Sequence, residues 1–240
     1  MFWPQGEGDY RMQNPYWIAY RNLRLNQKKR YMLSAQLSYD ITDWLNISGR
    51  VRVDNTHTKY EQKLYASSNL TITEESTQGH YTISKPDETQ TYADVLANIN
   101  KRFNDFSLVA NVGASIVNNR YEDLSYRGPI REKGIPNVFN VFDLDNTKKK
   151  ARQDEWQEQT QSIFASVEVG WKSMLYLTLT GRNDWASQLA NSSTPCFFYP
   201  SVGLSGVISE MLTLPEFIDY MKVRGSFSSV GMPYPRNLTS

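Results

Sequence analysis

From Tyr31 onward, apolar and polar side chains alternate along the chain in paired stretches. Over 31–41, Tyr31, Leu33, Ala35, Leu37, Tyr39 and Ile41 share one side, and Met32, Ser34, Gln36, Ser38 and Asp40 share the other. The next stretch sets Leu45, Ile47, Gly49, Val51 and Val53 against Asn46, Ser48, Arg50, Arg52 and Asp54. Further on, Ile163, Ala165, Val167, Val169 and Trp171 oppose Ser162, Phe164, Ser166, Glu168 and Gly170. Leu175, Leu177 and Leu179 oppose Tyr176, Thr178, Thr180, Arg182 and Asp184. A period of two with one apolar side predicts strands whose two faces meet different surroundings. Eight antiparallel strands in up-and-down order are expected, at 30–41, 45–66, 89–103, 106–124, 155–171, 174–186, 197–210 and 220–230.

A soluble sandwich could carry the same alternation, so the connections decide. Those at Asp43-Trp44, Asn104-Asp105 and Lys172-Ser173 are very short, whereas 67–88, 125–154 and 187–196 are long and polar. The fourth tight side, 212–219, is wider and contains Pro215. Sorting of short turns to one end and long loops to the other is the pattern of transmembrane β-barrels, and a Greek-key sandwich gives no reason for it. Aromatic residues gather beside the short turns: Tyr39 and Trp44, Phe103 and Phe106, Trp171 and Tyr176, and Tyr220. Amphipathic rings favour the headgroup level of a bilayer. The expected fold class is therefore all-β, an antiparallel up-and-down transmembrane β-barrel wall of about eight strands.

Composition changes this picture little. Hydrophobic residues make up 40% of the chain, mean hydropathy is −0.57, and no apolar run approaches the roughly 18 residues of a membrane helix. A barrel strand escapes that test because alternate side chains face a polar lumen. The 26 basic and 25 acidic residues leave a net charge of +1, so no nucleic-acid footprint is expected. The tract Lys148, Lys149, Lys150 and Arg152 reads as a solvated loop. The single cysteine, Cys196, excludes an intramolecular disulfide and is placed in a loop beside Pro195. The opening Met1-Phe2-Trp3-Pro4 has no basic region, apolar core or cleavage site, which predicts either a mature chain or a piece of a longer one.

Several strings sharpen the reading: Gly181-Arg182-Asn183-Asp184-Trp185, Phe197-Phe198-Tyr199-Pro200-Ser201-Val202-Gly203-Leu204-Ser205, and Leu214-Pro215 leading to Met221-Lys222-Val223-Arg224-Gly225-Ser226 and Val230-Gly231. With the early Asn14-Pro15-Tyr16-Trp17, they resemble the barrel of SusC/RagA-type TonB-linked outer-membrane transporters of Bacteroidetes. The resemblance implies that these strands are about eight of a larger barrel, with residence in the cell outer membrane and nutrient uptake. It also implies lipid around the wall, a SusD-like surface lipoprotein, TonB acting through an N-terminal region not present here, and a glycan or peptide substrate. On this reading 1–29 is an external loop region, 30–231 the barrel segment of four hairpins, and 232–240 the start of the next external loop. The first strand near Tyr31 and the last near Met221 are then expected to lack outer partners or to be drawn into a strained closure.

Catalytic and metal chemistry find little support. His57 and His80 have no nucleophile or second ligand at a meaningful spacing, and Glu74-Glu75 and Asp143/Asp145 read as solvated loop acids. Gly6-Glu7-Gly8 and Gly128-Pro129 read as turns. No enzyme activity, cofactor or metal is expected. Tyr16, Trp17, Tyr81, Tyr126 and Trp185 lie in or beside the expected external loops and could stack on a ligand, but none is assigned as a site residue. Two other readings remain: a complete eight-stranded outer-membrane barrel acting as adhesin or anchor, and a soluble β-sandwich.

Overall fold

In the computed structural model, residues 13–192, 195–212, 215 and 218–231 are described. The expected turn at Gly6-Glu7-Gly8, the Leu214 of the family-like string and the loop at 232–240 lie outside them. Nine strands form one sheet: β1 (Asn22–Thr42), β2 (Leu45–Tyr65), β3 (Gly79–Ser84), β4 (Asp87–Phe103), β5 (Phe106–Pro129), β6 (Lys150–Trp171), β7 (Leu175–Ala186), β8 (Cys196–Val207) and β9 (Lys222–Ser228). A seven-residue helix, α1 (Pro15–Arg21), precedes β1, and the single turn α2 (Ile208–Met211) follows β8.

All eight expected strands are present, and one more is found. The ninth is β3, inside the stretch 67–88 expected as loop. It pairs with β2 and β5, as β4 also does, so β3 and β4 occupy one place in the sheet order on either side of Lys85-Pro86. Pro86 has no N–H to give a ladder. The sheet nonetheless holds the break: Thr58 N–H donates to Pro86 O at 2.9 Å, and Lys85 N–H donates to Leu124 O at 3.3 Å. β1 begins at Asn22 rather than near residue 30. Gly128-Pro129 closes β5 in register with Tyr81 and His80 instead of forming a turn, Lys150 and Arg152 belong to β6 rather than a loop, and Cys196 opens β8. The sheet order ends in β1 on one side and β9 on the other, with no pairing between them among the described residues.

Two of the three tightest connections have left-handed backbone. Asn104 adopts φ 49°, and Lys172 and Ser173 adopt φ 49° and 59°. Primed turns of this kind match the twist of the flanking strands. Asn tolerates that region, whereas Lys and Ser occupy it at a cost on the order of 1 kcal/mol each.

The chain packs into two compact units. One comprises Met32–Val53, Gln90–Asn119 and Gln157–Ser240. Its described strands keep the predicted alternation through their register: Val169 lies opposite Leu177 and Val167 opposite Leu179. These continue to Leu204 and Val202 on β8, and Val202 to Phe227 on β9. This apolar side is not covered by protein: Leu37 is 82%, Leu33 69% and Phe198 64% exposed. So continuous an apolar surface requires an apolar environment. Near the tight turns it is edged by basic groups on rings, with Lys101 Nζ 4.8 Å from the Trp44 centroid and 5.1 Å from that of Phe103, and Lys172 Nζ 5.4 Å from that of Trp171. Tyr176, beside the same turn, lies with the opposite, polar face and takes Lys222 Nζ at 5.2 Å.

The second unit comprises Met1–Tyr31, Asp54–Thr89 and Arg120–Trp156. Here the loops supply the core. Ile130, Leu144 and Thr73 are fully buried, with Leu64 and Tyr81 nearly so. Thr73 Oγ1 donates to Ser76 O at 2.8 Å, Ser76 Oγ to Ile130 O at 2.8 Å, and Ile130 N–H to Gly79 O at 2.9 Å. Gly79 has φ 115°, and a Cβ there would lie 2.6 Å from Leu64 O, so only glycine fits at the start of β3.

Candidate functional site

Polar residues of alternate positions meet one another across strands in the unit built on Met32–Val53. Arg50 Nε donates to Asp94 Oδ1 at 2.8 Å, and the Arg50 and Arg52 guanidiniums sit 5.3 and 5.5 Å from the Tyr92 centroid. Asn46 Nδ2 donates to Asp40 Oδ1 at 2.6 Å, Asn98 Nδ2 to Asn46 Oδ1 at 3.2 Å, and Gln90 Nε2 to Asn119 Oδ1 at 2.9 Å. Arg182 Nε donates to Asp184 Oδ1 at 2.7 Å and Arg182 Nη2 to Ser162 Oγ at 3.0 Å, with its guanidinium 6.0 Å from the Phe164 centroid. Thr178 Oγ1 donates to Glu168 at 3.2 Å. Each of these charged groups therefore has a counter-charge, a hydrogen-bond partner or a ring against it. Gly113 makes room for Phe164: a Cβ would lie 2.6 Å from Phe164 Cζ and 2.9 Å from Val95 O.

The unit built on Asp54–Thr89 holds a cavity of about 640 Å3. Its frame starts at α1, where Asn14 Oδ1 accepts from Tyr16 N–H at 2.9 Å and Pro15 opens the helix, a standard start. Trp17 Nε1 then donates to Ser68 Oγ at 3.0 Å, Ser68 Oγ to Asn22 Oδ1 at 3.0 Å, and Asn22 Nδ2 to Gln13 Oε1 at 2.7 Å. That chain ties the helix to the loop after β2. Across the strands, Leu64 pairs with His80 and Gln62 with Thr82, and Thr82 in turn with Arg127. Arg24 from β1 and Glu74 and Ile72 from the loop complete the lining.

His80 is the most constrained group in this cavity. Its side chain is 7% exposed, Nε2 lies 3.7 Å from Glu74 Oε1, and Nδ1 is buried without a hydrogen-bond partner. Burial pushes its pKa below the ordinary value, assisted by Arg127 and opposed by Glu74. Arg24 and Arg127 form no ion pair among the described residues. Neighbouring Glu61 is paired differently: Lys59 Nζ lies 2.9 Å from its Oε2, and Tyr81 Oη donates to its Oε1 at 2.7 Å.

The candidate aromatics divide by environment. Tyr81 is buried against Phe139 at 6.0 Å between centroids, Trp17 is committed to Ser68, and Trp185 lies on the apolar side in register with Gln161. Tyr16 is exposed on α1, and Tyr126 is half-buried on β5 opposite Ile83. A stacked pair that the sequence did not single out, Tyr121 and Trp156, lies 5.5 Å apart at 14°. His57 Nδ1 is 3.2 Å from Asp87 on an exposed surface. Of the paired loop acids, Glu75 is near Lys148 and Asp143 near Arg131, and no cluster of three metal-ligating side chains occurs among the described residues.

The fold is that of known transporters. The chain superposes on the RagAB peptide transporter with TM-score 0.68 at 15% identity. It superposes on the RagAB peptide importer in the open-open state with TM-score 0.70 at 16% identity and in the closed-closed state with 0.69 at 14%. Each match covers 90% of this chain and 24% of the other, so the chain spans about a quarter of the solved transporters it matches. A sequence comparison with curated proteins found no match. Residues 3–240 match the family described as TonB dependent receptor-like, beta-barrel, and the chain belongs to that family.

Proposed function

We propose that this chain forms part of the wall and external loops of a SusC/RagA-type, TonB-dependent nutrient importer in the outer membrane, taking up glycans or peptides with a SusD-like lipoprotein partner. The observation that carries this is the two-faced sheet: one side bare and apolar, the other a cross-linked set of Arg, Asp, Asn, Gln and Thr. Lipid fits the first face, and a water-filled lumen the second. All backbone groups of a lipid-exposed strand need partners. Similarity in fold to RagAB supports peptide cargo in particular. A closed eight-stranded barrel would need the first strand to pair with the last, whereas β1 and β9 end the sheet order on opposite sides.

The test is genetic. Deleting the gene that encodes this chain, and separately the TonB of the same bacterium, should abolish growth on the same defined peptide or glycan. A deletion strain that grows like the parent on every such nutrient would overturn the reading.

A further inference from the structure

The cavity is lined by two guanidiniums that form no ion pair among the described residues and by a single carboxylate, Glu74. From this we infer that it is a binding site for the carboxylate of a ligand, such as the C-terminal carboxylate of a peptide or the uronate of an acidic sugar. The inference rests on the reading of this chain as an importer wall, but concerns binding and can be measured apart from transport.

Charge is the first argument. Arg24 and Arg127 line the cavity, and against them stands one carboxylate, Glu74, so the site with neutral His80 carries a net positive charge. Several arginines elsewhere in the chain are matched: Arg30 with Asp54, Arg50 with Asp94, Arg120 with Glu155, Arg131 with Asp143 and Arg182 with Asp184. Guanidinium is the side chain best shaped to take a planar carboxylate by two parallel hydrogen bonds.

Hydrogen-bond accounting is the second. Buried polar atoms are ordinarily paired. His80 Nδ1 is not, although the side chain lies at the cavity wall and is more than nine-tenths buried. Nearby Gln62 and Thr82 form no side-chain hydrogen bonds among the described residues, whereas Gln13 and Asn22 are bonded to each other. Nδ1 itself has no accessible surface, so a ligand hydroxyl or amide would find Gln62 and Thr82, rather than the imidazole, free to receive it. Ile18, Leu64 and Ile72 add an apolar wall suited to an aliphatic side chain or to the C–H face of a sugar.

The experiment uses the full-length importer purified in detergent and two pairs of probes. One pair is N-acetyl-Leu-Leu and its C-terminal amide, and the other is digalacturonate and its methyl ester. Binding is measured by titration calorimetry. At least one acid should bind about ten- to hundred-fold more tightly than its neutral twin, the range expected for charge-assisted hydrogen bonds. The pair that shows the preference identifies the source of the carboxylate. Arg24→Gln with Arg127→Gln should erase it, Arg24→Lys with Arg127→Lys should restore part of it, and Glu74→Gln should strengthen binding of the acid. Neither arginine has an ion-pair partner to lose, and heat-modifiable migration on gels verifies that each variant is folded. Equal binding of acid and neutral probes, absence of binding by all four, or a preference that survives in the folded double Gln variant would overturn the inference. Failure of the importer reading has a different signature: purified protein that still prefers the acid, in cells whose uptake does not depend on TonB.

Discussion

Leu179 and Thr180 are adjacent on β7 and point to opposite faces, so placing the same arginine at each isolates the effect of the face. Leu179 lies between Val167 and Val202, and Thr180 between Ser166 and Ser201, whose hydroxyl is 2.7 Å from its own. A strand tilted by about 40° climbs roughly 2.5 Å per residue along the membrane normal. Leu179 is the fifth residue of the strand that begins at Leu175. It therefore stands roughly 10 Å above the strand start, close to the middle of an apolar band about 25 Å tall. Arginine at that depth costs about 2–4 kcal/mol, falling to about 0–1 near the interface. The ratio of folded to unfolded protein should then fall by about 30- to 800-fold for Leu179→Arg, since each 1.4 kcal/mol is about tenfold. Leu177→Arg, two residues nearer the turn, should cost less. Thr180→Arg loses one hydroxyl contact and enters water, so a change below about 1 kcal/mol is expected.

The assay is reversible urea unfolding of the full-length protein in lipid vesicles, followed by tryptophan fluorescence, with assembly in cells scored by heat-modifiable migration. The order Leu179→Arg, Leu177→Arg, Thr180→Arg, from most to least damaging, is the outcome expected. Equal damage at 179 and 180 would show that the faces do not separate lipid from water, and the transmembrane reading would fall with them.

Gly113→Ala should destabilise the protein by about 1–3 kcal/mol in the same unfolding experiment. Its new methyl would come within 2.6 Å of the Phe164 ring and 2.9 Å of the Val95 carbonyl oxygen, so Phe164→Leu should rescue it only in part. Replacing Lys172 by Asn together with Ser173 by Gly should raise stability by about 0.5–1 kcal/mol, because both positions have positive φ; an unchanged urea midpoint would count against that strain. His80 has a folded-state pKa below its unfolded value, so the unfolded chain takes up the proton first. The stability this contributes is full above the unfolded pKa near 6.5 and is lost as pH falls towards the folded value. Amide protection factors over Gly79–Ser84, taken against the intrinsic exchange rate at each pH, should therefore fall between about pH 7.5 and 5, and His80→Gln should flatten that response.

The wall was legible because two solvents imposed it. Tyr31 to Ile41 and Leu175 to Leu179 alternate since one row meets lipid and the other the lumen, and the tight turns mark where the strands reverse. β3 alternates too, with Tyr81 and Ile83 opposed to His80, Thr82 and Ser84, but it buries Tyr81 and His80 alike, is six residues long and ends at Lys85-Pro86. Its alternation was too short to stand out from the polar loop around it. The start of β1 was obscured for a related reason. The run Asn26-Gln27-Lys28-Lys29 is polar on both sides, as suits a strand with no apolar surroundings on either face, and such a strand leaves no period to read.

Loop cores and binding cavities are aperiodic, and that is why the site stayed hidden. Thr73 and Ser76 read as solvated residues until their hydroxyls are found on the carbonyls of Ser76 and Ile130, and Ile130 itself follows a Gly-Pro pair that looks like a turn. Arg24, His80 and Arg127 come from three strands far apart in sequence, and nothing local to any of them announces the others. A strand register fixes His80 opposite both Leu64 and Pro129, and only that register brings the imidazole to the same wall as the two arginines. The physical consequence is a division of constraint. Substitutions in the wall are limited to apolar or polar by position, whereas Arg24 and Arg127 can change without breaking any ion pair among the described residues, and Glu74 at the expense of its contact with His80 alone.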